Sequence, residues 1–151
     1  MSTLRPLMIA ALLGAGLTDA ASAPLTQSLA QSLTQSLSQA RGRERVLIVR
    51  NPPATYLQEM RRQDTELQVR DLRIVALLPA GDARLKGPLT LMLTLLVDQG
   101  GKEGKPYGPA TLIGKDGGVK ASYRAFPALS TVNALIDTMP MRQQERRERG
   151  R

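Results

Sequence analysis

Cysteine, histidine and tryptophan are all missing from the 151 residues. Without cysteine there are no disulfides, no thiolate nucleophile and no cysteine metal site. Without histidine the commonest general base and metal ligand at neutral pH is gone. No aspartate spacing matches a calcium loop, so no metal ligands and no cofactor are assigned. Aromatic residues are scarce, with Tyr56, Tyr107, Tyr123 and Phe126 making up the whole set. A core must therefore be aliphatic. Acidic residues are outnumbered, 13 against 21 lysines and arginines, for a net charge of +8. That balance favours anionic partners or surfaces and also suits a small soluble basic protein. No aromatics interleave with the positive charge, which argues against nucleic acid as a partner.

The length leaves room for one domain with tails. The chain opens "MSTLRPLMIAALLGAGLTDAASA". Arg5 supplies a positive start, Leu7 to Leu17 an apolar stretch too short to span a bilayer, and Ala21-Ser22-Ala23 a small-x-small cleavage site. These features predict a signal peptide over 1–23, cleaved after Ala23 or, because Pro24 follows, after Ala20. Residues 24–43 carry a four-residue repeat with Leu25, Leu29, Leu33 and Leu37 in register. On a helix this is a narrow stripe that drifts around the axis. One leucine per turn is little apolar area for a lone helix, so the segment reads as a low-complexity spacer.

From Arg45 the texture changes. "RVLIVR" (45–50) is a continuous apolar run bounded by arginines, as expected of a strand buried on both faces. Asn51 is placed to cap a helix with Pro52 and Pro53 in its first turn; Leu57, Met60 and Leu67 then recur at helical spacing. "RIVALL" (73–78) is a second buried strand. Strand, helix, strand implies parallel pairing through a right-handed crossover. "PLTLMLTLLVDQG" (88–100) is apolar all round. It reads as a helix from the propensity of Leu and Met, with a strand as the other reading. "GKEGKPYG" (101–108) is a glycine-rich loop without phosphate-loop spacing. Ala110 to Ile113 and Val119 to Tyr123 make a hairpin about Asp116-Gly117. Leu129, Val132, Leu135, Ile136 and Met139 repeat at helical spacing, with Ser130 as cap and Pro140 interrupting.

The order β-α-β-α-β-β-α is that of an α/β thioredoxin-like fold, a four-stranded mixed sheet with helices on both faces. The stretches "RVLIVRNP" (45–52), "IGKDGGVK" (113–120) and "ALIDTMPMRQQE" (134–145) resemble an exported bacterial family known as domain of unknown function 4174, thioredoxin-like in fold. The resemblance covers about residues 44 to 146. It implies a fold and a compartment, periplasmic or secreted, and brings no chemistry with it. The expected organisation is a signal peptide (1–23), a spacer (24–43), a thioredoxin-like domain (44–141) and a basic tail (142–151).

In a thioredoxin-like oxidoreductase the reactive cysteines lie between the first strand and first helix, where the helix N-terminus stabilises a thiolate. This chain has Asn51, Pro52, Pro53 and Ala54 there, and none of them exchanges a disulfide. Pro109 aligns with the cis-proline that faces the reactive pair in that fold. A cis bond would leave nearby backbone free for an extended peptide; a trans proline starting a strand is the plainer alternative. These residues with Tyr107 form the candidate contact surface. Arg142, Arg146, Arg147, Arg149 and Arg151 form a candidate anion-binding tail, unless they are a solvated chain end. Asp64, Glu66 and Asp71 lie among Arg61, Arg62 and Arg70, as on a solvated helix face. The expected function is a non-catalytic module of the cell envelope that binds a protein or plays a structural part. One alternative is a cysteine-free hydrolase using carboxylates or a lysine-activated serine. The other is an envelope-surface binder acting through the basic tail and leucine repeat.

Overall fold

The two buried apolar runs, 45–50 and 73–78, become adjacent inner strands of a sheet. The computed structural model describes residues 32–99 and 107–150; the expected signal peptide and most of the leucine repeat lie outside them. Strand β1 (Arg45–Arg50) pairs in parallel with β2 (Leu72–Leu78), Leu47 standing opposite Ile74. On its other side β1 pairs antiparallel with β4 (Ala110–Ile113), Leu47 opposite Leu112. Strand β5 (Val119–Tyr123) returns antiparallel to β4. A further strand, β3 (Leu93–Val97), lies parallel to β2 at the outer edge. The sheet is mixed and five-stranded, in the order β3-β2-β1-β4-β5. The hairpin turn needs Gly117, whose φ of 82° few side chains tolerate.

Strand alternation sends Leu47, Val49, Ile74, Ala76 and Leu112 to one face. There they meet helices α2 (Ala54–Arg62), α3 (Asp64–Val69) and α4 (Leu129–Asp137) through Leu57, Met60, Leu67, Val132 and Ile136. Val46, Ile48, Val75 and Leu77 face the other way, toward Leu33 and Ala40 of helix α1 (Leu33–Ala40). The last helix, α5 (Pro140–Arg149), packs beside α4.

Several expectations are corrected. Residues 93–97 form a strand, so the sheet has five strands where four were expected. Leucine's helix propensity is worth tenths of a kcal/mol per residue, and pairing along β2 with burial of Leu93, Leu95 and Leu96 outweighs it. The helix expected after Asn51, through Leu57, Met60 and Leu67, is two, meeting at Gln63. Its N-cap position is occupied by Pro53, not Asn51, and no side chain caps it. Ser130 does not cap α4 either, because that helix starts at Leu129 with Ala128 before it. The spacer contains a helix, α1, capped by Ser32 whose hydroxyl accepts from Gln35 N–H at 3.1 Å. Pro140 does interrupt the C-terminal helical pattern as expected: α4 ends at Asp137, and Pro140 sits in the first turn of the separate helix α5, where its missing N–H costs nothing.

These pairings define two ends of the sheet. The carboxyl ends of β1, β2 and β3 lie together, with the start of β4 beside them because β4 runs antiparallel to β1. The amino ends of β1 and β2 lie opposite, under α5.

Candidate functional site

At the carboxyl end of β1 the chain makes a tight corner. Asn51 takes a left-handed conformation, φ 47°, which asparagine tolerates better than most residues. Its N–H donates to Leu77 O at 2.7 Å, continuing the ladder for one more residue. Pro52 is buried, whereas Pro53, Ala54 and Thr55 are exposed. Arg84, in the connection from β2 to β3, braces the corner from outside. Its Nη2 donates to Asn51 Oδ1 at 2.7 Å and its Nη1 donates to Pro52 O. Asp82 holds that guanidinium at 2.6 Å, and hydrogen bonds from the Arg84 side chain and backbone keep the Asp82 carboxyl down at about 2.

The start of β4 completes the corner. Arg50 N–H donates to Pro109 O at 2.9 Å, tying the two predicted proline positions to one backbone bond. Among the described residues no peptide bond is cis, so Pro109 starts its strand in the plain trans form. Gly108 before it has φ 56°. Tyr107 is half-buried against the second-face cluster, and its carbonyl accepts from the Thr111 hydroxyl. The structure thus brings Asn51, Pro52, Pro53, Ala54, Tyr107 and Pro109 to one end of the sheet.

Aromatic residues stand beside the first turn of α2. Tyr56 hydroxyl donates to Pro127 O at 2.8 Å, and its ring lies 5.4 Å from that of Phe126. Burial, reinforced by nearby Tyr123, pushes the Tyr56 phenol up to about 12. Burial also raises Tyr123, whose hydroxyl is enclosed without a hydrogen-bond partner.

Arg50 and Asp98 were not singled out from the sequence. By strand alternation Arg50 projects to the same face as Val46 and Ile48. It reaches across the end of β2 to Asp98, just past β3, with Nε 3.3 Å from the carboxylate. The available signal was the arginine closing "RVLIVR", which served only to mark a strand boundary.

The five arginines of the presumed tail do not act as one set. Arg142 is buried on α5, with Nε 3.4 Å from Asp137 and Nη1 3.6 Å from Glu145. Arg149 donates to Val69 O at 2.9 Å and pairs with Asp71 at 3.1 Å. Arg146 and Arg147 are exposed, and Arg151 lies outside the described residues. The engaged pair belongs to the amino end of the sheet, away from the proline corner. Asp64 also differs from the solvated acid expected: it accepts from Met92 N–H at 3.0 Å, tying α3 to the approach to β3.

Among the described residues no three histidine, cysteine or acidic side chains converge to hold a metal ion, and no helix is long and apolar enough to cross a membrane. The model of a family described as Domain of unknown function (DUF4174) matches residues 36–145. No curated protein and no solved structure matches the chain.

Proposed function

For a chain that belongs to the DUF4174 family, we propose the role of an exported, thioredoxin-like binding module that docks a peptide at the carboxyl end of β1. The observation that carries this reading is the proline corner. Pro53, Ala54 and Pro109 are exposed on two segments joined by the Arg50–Pro109 hydrogen bond. Rigid prolines and a small side chain offer a pre-formed surface that loses little entropy when covered.

The thioredoxin-like part of the proposal draws support from strand order. Within the five-stranded sheet, β2-β1-β4-β5 contains a parallel β-α-β unit joined to an antiparallel hairpin followed by a helix. In that arrangement the proline corner occupies the place of the redox pair, with no cysteine in the chain to act there. The non-catalytic part is favoured by the state of the carboxylates near the corner: Asp82 is held by Arg84 and Asp98 by Arg50, which suits bracing better than proton transfer. Export rests on the three-part pattern of residues 1–23. N-terminal sequencing of protein recovered from a bacterial periplasm checks it, with a new terminus at Ala21 or Pro24 expected.

Selection of random dodecapeptides on the immobilised chain tests the binding role. Peptides enriched on the native chain and lost on an Ala54→Arg variant of unchanged thermal stability support it. Equal enrichment on both, or none on either, rejects it.

A further inference from the structure

We propose that Arg50 is a receptor for a carboxylate carried by the ligand of the proline corner, an inference that rests on the binding role above and names the chemistry of its anchor. The Arg50 guanidinium is set at the carboxyl ends of three parallel strands. It starts on β1, crosses the end of β2 and meets Asp98 beyond β3. In open α/β sheets that crevice is where ligands bind.

The second observation is unmet hydrogen bonding. Arg50 Nε and Nη2 are both enclosed, and neither has a hydrogen-bond partner. Asp98 lies 3.3 Å from Nε, close enough to pair in charge, yet no hydrogen bond forms. Buried donors on a cation are costly to leave unmade, so each calls for a partner. Nε and Nη2 lie along one edge of the guanidinium, the edge that grips a carboxylate through two parallel N–H···O bonds. The Arg50 side chain is 27% exposed, so a turn about its outer torsions brings this edge to solvent.

Charge selects the kind of anion. Asp98 already brings one negative charge to this guanidinium, so a singly charged carboxylate is repelled less than a phosphate dianion. Arg50 directly precedes Asn51, Pro52 and Pro53 in the chain, which roots its side chain at the corner. A peptide lying on the corner would present its C-terminal carboxylate, or an acidic side chain, to Arg50.

The test follows the Arg50 Nε–Hε resonance of the full chain by 1H–15N NMR during titration with acetate, acetamide and inorganic phosphate at constant ionic strength. The expected result is a saturable shift with acetate, none with acetamide, and weaker binding of phosphate. Arg50→Gln should abolish acetate binding. Arg50→Lys keeps the charge but not the paired geometry, and should weaken binding by about tenfold. Asp98→Asn should tighten it. If acetate moves Arg50 no more than the exposed Arg146 and Arg147, or if phosphate binds more tightly than acetate, the assignment is wrong. The native-chain titration decides the matter even where a variant fails to fold. Failure here is separable from failure of the binding role: selected peptides that bind equally well as C-terminal amides and without acidic residues would keep the proline corner and remove Arg50 as anchor. Acetate binding without any selected peptide would do the reverse.

Discussion

Asn51 shows how a single residue can be read for the right place and the wrong task. It was expected to cap a helix; instead it turns the backbone left-handed and accepts from Arg84. A β-branched residue resists that conformation, so Asn51→Val should cost about 1–2 kcal/mol from the backbone alone, read as a lowered urea midpoint. Asn51→Gly should come close to the native value. Tyr56 offers a second residue-scale check. With its phenol raised to about 12 from an ordinary 10, it stays neutral in the fold well after a free tyrosine has ionised. The stabilisation this implies is complete below pH 10 and is lost as pH rises from there through 12. In an absorbance titration at 295 nm the last tyrosine step should lie near pH 12 and vanish in Tyr56→Phe. That variant also loses the bond to Pro127 O, worth about 0.5–1.5 kcal/mol.

At the scale of elements, α5 stands out because charge more than apolar area holds it. Its one fully buried side chain is Arg142. Glu145 links it to β1 through Arg45, 3.1 Å away and 1% exposed, and to the end of β4 through Lys115 at 2.6 Å. Arg149 adds Asp71, which also takes Lys115 at 2.9 Å. Removing one partner of a buried pair strands the other, so Glu145→Ala should destabilise by about 3–5 kcal/mol. Arg146→Ala, on the exposed side, should fall within about 0.5 kcal/mol of native. Chemical denaturation of both variants makes the comparison. The edge strand gives an independent contrast. Leu95→Ala should cost about 2–5 kcal/mol, because Leu95 is buried in β3. Leu91→Ala should cost little, since Leu91 is 71% exposed. Equal effects would mean that 89–97 is not paired as a strand.

For the molecule as a whole, the carboxylates under α5 set the response to acid. Burial pushes Glu145 up, but hydrogen bonds from Lys115 and Arg45 outweigh it and hold the carboxyl below its ordinary 4.5. Asp137 behaves alike: burial raises it, and Arg70 with Arg142 bring it below 3.8. Groups lowered in the fold stabilise it above their unfolded values, and that contribution disappears as pH falls through the folded ones. The urea midpoint should therefore match at pH 7 and pH 5 and drop by pH 3. Glu145→Gln should shrink the drop. A chain that carries +8 at neutrality gains further positive charge in acid, so self-repulsion acts in the same direction.

Local patterns carried much of this fold. Buried strands β1 and β2, the hairpin of β4 and β5 and the apolar stripe of α4 all follow from periodicity and turn chemistry within a dozen residues. Composition alone removed thiol redox chemistry, since a missing element cannot be restored by folding. What stayed illegible depended on neighbours far along the chain. Residues 93–97 satisfy helix and strand patterns equally, and the open edge of β2 settled the choice. The arginine-rich end reads as a solvated tail until Arg45, Asp71 and Lys115 are brought under it from 100, 78 and 30 positions or so away. The gathering of Arg50, Asp98 and Pro109 has the same origin: a parallel sheet collects the ends of separate strands, and no spacing in the sequence records which ends will meet.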